Sequence, residues 1–257
     1  MLEELQSSNQ FYDAVVLGSS HAYRGIDPAI FEEHNLNIYV AGSSAQNCFG
    51  GRIIYENQIR GKTKVIVQDI YDLIFERDIS ESNLRLIENL PTIKESWELT
   101  SQSLTMNTFT AFLIRLAEID QKEEVKLDES FYKGYAGKSG SITTVAAPTD
   151  SVFDANQEVF RCFEEFVQEL KKENIKLVLV SHPLPQNPEL IRYHRQFLEL
   201  FTPLVEKYNL KYFDYTNYCE NFSLADFSDQ THLNTQGVRK YNELLLANQE
   251  FVGELKP

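Results

Sequence analysis

The chain has 257 residues, a formal net charge of -14, 42% hydrophobic residues and 24% charged residues, a balance that is typical of a globular protein. The acidic balance argues against a nucleic-acid partner, because phosphates would be repelled. No apolar run approaches the roughly 20 residues that a membrane span needs, so we expect no membrane span in this chain.

The N-terminal residues 1–16 lack a basic start followed by an apolar stretch, so we predict no signal peptide. We therefore expect a cytoplasmic protein. The alternative is an extracellular or cell-envelope domain whose N-terminal anchor has been removed. The sequence leaves the oligomeric state open.

Short apolar runs alternate with amphipathic segments along the chain. We predict strands at about 14–17, 37–41, 64–70, 176–180 and 211–214. We predict helices at about 28–34, 48–59, 80–87, 92–99, 105–119, 154–173, 189–208 and 236–248. Asp27 and Pro28 suit the N-cap and first turn of the first of these helices. This alternation predicts an α/β fold with a parallel sheet and right-handed crossovers.

We find no internal repeat and no linker, so we predict one domain over 1–257 with a helical and loop insertion at about 78–150. Within it, residues 132–148 carry three glycines and a proline, which predicts an irregular loop or a short hairpin. The insertion is either a lid or binding wall, or a structural excursion.

The cysteines Cys48, Cys162 and Cys219 include no closely spaced pair, and we expect buried, reduced thiols. No zinc-type spacing of Cys and His occurs, so we predict no metal. Neither a dinucleotide-binding glycine motif nor a phosphate-binding loop is present, so we predict no cofactor.

Two short motifs at opposite ends of the chain carry the candidate chemistry. Gly18-Ser19-Ser20-His21 follows the first strand, at the sheet edge where open α/β folds keep their active sites. Asp229-Gln230-Thr231-His232 lies near the C-terminus, and its spacing lets one turn hold the carboxylate against the imidazole. Serine needs such a base to act as a nucleophile. Individually, these residues could simply cap turns or helices.

The two motifs resemble the blocks of the SGNH (GDSL-type) hydrolase superfamily. Its first block is usually Gly-Asp-Ser-Leu, and its last is Asp-x-x-His, followed here as often in the family by Leu233-Asn234 and Gly237. The resemblance implies that Ser20, rather than Ser19, is the nucleophile, that His232 is the base and that Asp229 is the third member. It also implies a three-layer α/β/α sandwich around a flavodoxin-like sheet of about five parallel strands in the order 2-1-3-4-5.

The resemblance also implies an oxyanion hole. The backbone N–H of Ser20 is one expected donor, and the glycine of the second family block falls on Ala45. Gly42 is the alternative if the loop is one turn out of phase. Asn47 could contribute its amide, or could cap the helix that follows.

The third block departs from the family pattern Gly-x-Asn-Asp, since the chain has Gln68-Asp69-Ile70-Tyr71-Asp72. Asp72 falls near the family asparagine, where a carboxylate would repel an oxyanion unless it were protonated or turned away. The further candidates for substrate contact are His21, Arg24, Asp72 and His182. Arg24 either holds an anionic or sugar group or pairs with Asp27, and His182 is either structural or a substrate contact.

The sequence thus predicts a serine ester hydrolase that removes a short acyl group, such as acetyl, from a carbohydrate or similar small ester. The variant Gly-Ser-Ser-His resembles the envelope-associated branch of the superfamily, which acts on cell-wall and capsule polymers. Two alternatives stay open. One is an O-acyltransferase acting on a cell-envelope polysaccharide, and the other is a non-catalytic accessory protein on the same fold.

Overall fold

The structure is a computed structural model, and it describes residues 2–71, 73, 79–102, 104–117, 131–145, 156–216 and 221–256. Within these residues, no helix is both long enough and apolar enough to cross a membrane.

Five parallel strands form the central sheet. They are β1 (Ala14–Leu17), β2 (Ile38–Val40), β3 (Val65–Asp69), β6 (Lys176–Ser181) and β7 (Lys211–Asp214). Their order across the sheet is β2-β1-β3-β6-β7, which confirms the order 2-1-3-4-5. The inner strands β1 and β3 are buried along their whole length, as their near-continuous apolar sequences require. A separate antiparallel hairpin joins β4 (Phe131–Tyr132) to β5 (Tyr135–Ala136).

Helices cover both faces of the sheet. They are α1 (Leu2–Ser7), α2 (Ser20–Gly25), α3 (Pro28–Glu32), α4 (Cys48–Ile54), α5 (Ile79–Asn89), α6 (Ile93–Gln102), α7 (Met106–Ala117), α8 (Gln157–Lys172), α9 (Pro188–Tyr208), α10 (Thr235–Ala247) and α11 (Gln249–Glu254). Successive side chains of a strand point to opposite faces, so β1 contributes Ala14 and Val16 to one core and Val15 and Leu17 to the other. The first core is closed by α2, α3, α10 and α11, and the second by α1 and α4 to α9. The result is the expected three-layer α/β/α sandwich.

Each predicted helix coincides with an observed one, although the ends differ. Asp27 caps α3 by accepting a hydrogen bond from the backbone N–H of Ala29 at 3.0 Å, as predicted. The helix predicted over 48–59 ends as a regular α-helix at Ile54 and continues as a π-helical turn over Tyr55–Ile59. Residues 118–119 and 154–155 of two predicted helices lie outside the described residues.

The short helix α2 was not predicted, because Gly25 and Pro28 signal a turn in this part of the sequence. Residues 131–136 form the hairpin that was one of the two expectations for this segment, and 137–145 have no regular structure.

The expectation of reduced thiols is wrong for two of the three cysteines. Cys48 and Cys162 are buried, as expected, but they form a disulfide, with Cα atoms 6.1 Å apart. The bond joins α4 to α8, which pack side by side on one face of the sheet. A separation of 114 residues gives no local spacing signal, so only the packing of the two helices shows the pair. Cys219 lies outside the described residues.

Candidate active site

The first motif forms a tight turn from β1 into α2. Gly18 has φ = +147°, and a Cβ at this position would lie 2.8 Å from the Cβ of Asp69 on β3. Only glycine fits both the conformation and the space. Ser19 is the N-cap of α2, accepting a hydrogen bond from the backbone N–H of His21 at 3.4 Å. Ser20 begins the helix and stays partly exposed.

Ser20, His232 and Asp229 form a continuous hydrogen-bonded relay. Ser20 Oγ lies 2.7 Å from His232 Nε2, and His232 Nδ1 lies 2.8 Å from Asp229 Oδ1. A carboxylate can only accept, so Nδ1 carries the proton and Nε2 is left to accept the Ser20 hydroxyl proton. This is the tautomer that a general base needs in order to activate a serine.

The turn that carries His232 is held by its own backbone. Asp229 Oδ1 also accepts hydrogen bonds from the backbone N–H groups of Thr231, at 3.2 Å, and His232, at 3.0 Å. Ser228 donates its backbone N–H to the carbonyl of His232 at 2.8 Å, and Asn234 caps α10. The carboxylate therefore fixes both the turn and the imidazole.

Burial and hydrogen bonding act in opposite directions on the two ionisable members of the relay. Burial tends to raise the pKa of Asp229, but hydrogen bonds from His232, Lys138 and Thr231 outweigh it and hold the pKa well below its usual range. Burial lowers the pKa of His232, and the opposing effect of Asp229 only partly offsets it. At neutral pH the relay therefore consists of a carboxylate and a neutral imidazole.

Two further histidines, His21 and His182, form a stack with the relay histidine His232. The ring of His21 packs against that of His232 on one side, with centroids 4.2 Å apart, and against that of His182 on the other, at 4.1 Å. Tyr71 packs against both His21 and His182. His182 is buried and lies on the far side of His21 from His232, so we place it among the supporting residues rather than in the opening of the site.

The expected oxyanion loop, residues 41–47, lies against the turn at Gly18-Ser19-Ser20. Ala45 has φ = +49°, a left-handed conformation that glycine adopts more easily and that fits the position of the family glycine. Gly42 packs tightly there, since a Cβ would lie 3.0 Å from the carbonyl oxygen of Gly18. Asn47 caps α4 by accepting from the N–H of Gly50 at 3.1 Å, which is the structural role considered for it.

Gln46 connects this loop to the turn at Gly18-Ser19-Ser20, and the sequence carried no signal for it. Its Oε1 accepts from the backbone N–H of Gly18 at 2.8 Å, and its Nε2 donates to the carbonyl of Ala41 at 2.9 Å. The buried amide therefore bridges the ends of the two neighbouring strands β1 and β2.

Two cations flank Asp229 on the side away from His232. Lys138 Nζ lies 3.0 Å from Asp229 Oδ2, and an Arg24 guanidinium nitrogen lies 4.0 Å from the same oxygen. Among the residues that the structure describes, Arg24 pairs with Asp229 and not with Asp27, so the pairing with Asp27 considered from the sequence is wrong. Lys138, in the segment that follows β5, was not singled out by any motif.

Asp72, the residue that departs from the family pattern, lies outside the described residues. Among the residues that are described, no group of three or more His, Cys, Asp or Glu side chains is arranged to hold a metal ion.

Comparison with known proteins gives a likeness in structure only. No protein-family model and no curated protein matches the chain. A solved structure from Bacteroides fragilis, described as an acylhydrolase, is 12% identical with a TM-score of 0.52, and the match covers 99% of this chain and 95% of that one.

Two further solved structures have lower TM-scores and carry no further conclusion. One is a variant of an acetyl-xylooligosaccharide esterase from Geobacillus, with 12% identity, a TM-score of 0.45 and coverage of 93% and 94% of the two chains. The other is described as a GDSL-like lipase from Parabacteroides merdae, with 12% identity, a TM-score of 0.41 and coverage of 96% and 98%. The strand order, together with the likeness to the acylhydrolase structure, shows that this chain has the SGNH hydrolase fold.

Proposed function

We propose that the protein is a serine ester hydrolase in which Ser20 is the nucleophile, His232 the general base and Asp229 the group that orients the base. The observation that carries this proposal is the relay itself, with heavy-atom distances of 2.7 and 2.8 Å. Both distances lie within the range at which a base can take a proton from a hydroxyl group. Ser19 does not compete for this role, because its hydroxyl caps α2.

The reaction follows from these positions. Ser20 Oγ attacks the ester carbonyl carbon while its proton passes to His232 Nε2, and the carbonyl oxygen becomes an oxyanion. The C–O bond to the alcohol then breaks, and His232 returns the proton to the leaving alkoxide. A water molecule, deprotonated in turn by His232, attacks the acyl-serine carbonyl. The bond from the acyl carbon to Ser20 Oγ then breaks while His232 returns the proton to Oγ, which releases the carboxylic acid and free Ser20.

The backbone N–H groups of Ser20 and Ala45 are the proposed oxyanion donors. Removal of one such donor typically costs about 2.7–4 kcal/mol of activation free energy. The left-handed conformation of Ala45 supports its part in this proposal, since it is the backbone geometry that the family glycine would supply.

We propose a short acyl ester of a carbohydrate as the substrate. The support is the resemblance of Gly18-Ser19-Ser20-His21 to the envelope-associated branch of the superfamily. Transfer of the acyl group to a sugar hydroxyl would use the same residues and would differ only in the acceptor that resolves the acyl-serine.

The test is intact mass after incubation with a fluorophosphonate, for the native chain, Ser20→Ala and Ser19→Ala. We expect one adduct on the native chain and on Ser19→Ala, and none on Ser20→Ala. Ser19→Ala is the matched control, because the Ser19 hydroxyl caps the helix and contacts His21 Nδ1 at 3.2 Å rather than His232. An adduct on Ser20→Ala, or none on the folded native chain, would contradict the proposal, and the second result would favour the accessory protein.

Substrate class is tested separately, by release of acetate from acetylated sugars with and without a free sugar acceptor. Acetate release identifies a hydrolase, whereas an acetylated acceptor identifies a transferase. Asp229→Asn should slow both reactions by about 10⁴-fold, the size of effect seen when the third member of such a triad loses its charge.

A further inference from the structure

Two positive charges lie at the rim of the candidate site, although the chain as a whole is strongly acidic. Arg24 is one helical turn after Ser20 on α2, so the two side chains share a face of that helix. Lys138 comes from the segment after β5. Both side chains are partly exposed, Arg24 by 30% and Lys138 by 44%.

The main chain around Lys138 is fixed to the turn that carries the base. The backbone N–H of Thr235 donates to the carbonyl of Lys138 at 3.1 Å, and Asn234 Nδ2 donates to the carbonyl of Gly140 at 2.7 Å. Thr235 and Asn234 follow His232 directly in the last block. The position of Lys138 beside the relay therefore does not depend on its flexible side chain alone.

Asp229 does not neutralise both cations. The same carboxylate oxygen, Oδ2, faces Arg24 and Lys138, so one positive charge at the rim is uncompensated by this carboxylate. Arg24 is held less closely by Asp229 than Lys138 is, because its 4.0 Å contact is longer than a hydrogen bond. Within the described part of the chain its guanidinium donates no hydrogen bond, whereas Arg52 and Arg60 each donate to glutamates.

We propose that Arg24 and Lys138 form a subsite for an oxyanion, a carboxylate or a phosphate, carried by the ester substrate. This inference rests on the proposed function and names its substrate class. A guanidinium with free donors suits a planar or tetrahedral oxyanion, and a nearby ammonium adds a second charge. Because the rest of the chain repels anions, this rim would admit an anionic ester only in the orientation that brings its charge to these residues.

The test compares two acetyl esters of nearly the same size and different charge, the anionic 4-acetoxybenzoate and the neutral 4-acetoxybenzamide, and their intrinsic difference in reactivity is the same for every variant. We expect the ratio of their kcat/KM values to favour the anion in the native chain. Lys138→Gln and Arg24→Gln should each lower that ratio by about fivefold, the upper range for a partly exposed ion pair. A ratio is used because both variants also disturb Asp229, and that effect is common to the two esters.

Two controls keep the result interpretable. Lys211 is the first residue of β7, so it lies at the end of the strands opposite to the candidate site, where it pairs with Glu250. Lys211→Gln removes this charge and should leave the ratio unchanged. On the native chain, about 1 M salt shortens the Debye length to about 3 Å and should bring the ratio towards that of the variants without any substitution. Lys138→Glu should invert the preference.

A third ester, 4-acetoxyphenyl phosphate, distinguishes a phosphate subsite from a carboxylate subsite by its own ratio to the neutral amide. If the amide is hydrolysed but the ratios are the same in Lys138→Gln, Arg24→Gln and native chains, the inference is overturned and the cations only hold Asp229. If the fluorophosphonate labels Ser20 but the native chain hydrolyses none of the three esters, the inference is overturned while the proposed nucleophile stands; if labelling fails as well, both fail.

Discussion

The ring of His21 lies flat on the ring of His232, with centroids 4.2 Å apart and planes within 4° of parallel. Burial, together with the neighbouring His182, His232 and Arg24, lowers the pKa of His21 well below its ordinary value, so this ring is neutral. His21 occupies the position of the leucine in the usual family block. In this chain an aromatic ring, rather than an aliphatic side chain, supports one face of the base.

We expect His21→Ala to slow fluorophosphonate labelling of Ser20 by about two- to tenfold, the equivalent of the roughly 0.5–1.5 kcal/mol that an aromatic pair contributes. The reason is that His232 would lose the surface that holds its ring in line with Ser20. His21→Phe keeps a flat ring and is the matched control, with a rate close to that of the native chain. Equal rates in the Ala variant and the native chain would show that the stack is only packing.

The pH dependence of labelling should follow the protonation of His232. Burial lowers the pKa of His232 from its ordinary value of 6.5, so the midpoint of the fall in labelling rate with decreasing pH should lie below pH 6.5. The folded state disfavours the proton while the unfolded chain accepts it near pH 6.5. The free energy of unfolding contributed by His232 is therefore lost as the pH falls from 6.5 towards the lower folded pKa.

Two variants should move the His232 pKa in opposite directions, as measured by NMR titration of its ring protons. Asp229→Asn removes the carboxylate that favours the charged imidazole, so the pKa should fall further. Arg24→Gln removes a cation that disfavours it, so the pKa should rise. Shifts of the same sign in both variants would contradict the electrostatic account.

Gln46→Ala should lower the free energy of unfolding by about 1–3 kcal/mol, because it leaves the buried N–H of Gly18 and the carbonyl of Ala41 without a partner. Gln46→Glu keeps the acceptor for Gly18 but sets a buried carboxylate oxygen against the carbonyl of Ala41, so it should also lower the free energy of unfolding. Denaturant unfolding of the three chains is the measurement. An unchanged midpoint in Gln46→Ala would show that the bridge does not stabilise the fold.

The disulfide can be checked by alkylating the chain in denaturant, with and without a reductant, and measuring intact mass. Without the reductant only Cys219 should be alkylated, and with it Cys48 and Cys162 should also react. Reduction should lower the free energy of unfolding by about 2–4 kcal/mol. Three alkyl groups without a reductant would contradict the bond. Its presence in the protein from its natural source would favour the extracellular or envelope alternative, since disulfides persist in oxidising compartments.

The sheet could be predicted well because its strands are short apolar runs bounded by turn residues. The bounds of β1 and β7 are those expected from the sequence, and the strand order followed from the resemblance. The helix α2 could not be predicted in this way, because Gly25 and Pro28 mask a helix whose start depends on the Ser19 cap. Gly25 and Pro28 favour a turn at this place, whereas the Ser19 side chain caps the first turn of a helix, and the chain forms the helix.

The site was predictable where its contacts are local. Asp229 and His232 are three residues apart, so a sequence pattern can represent their contact. The contact of Ser20 with His232, across 212 residues, was expected only from the family resemblance, and the other contacts between distant segments could not be predicted. Lys138 reaches Asp229 across 91 residues, and Gln46 reaches Gly18 across 28, with no motif to mark either residue. The stacking of His21 between two other histidines is likewise a product of the topology.

Ser20, the proposed nucleophile, and His232, its proposed base, are 212 residues apart in the chain. During synthesis, which proceeds from the N-terminus, Ser20 emerges early and remains an ordinary, unreactive hydroxyl until the last block has left the ribosome and docked. On the proposed function, the nascent chain therefore does not react with esters. For the same reason, the rate at which Ser20 becomes labelled during refolding reports the rate at which the segment with His232 docks against Ser20.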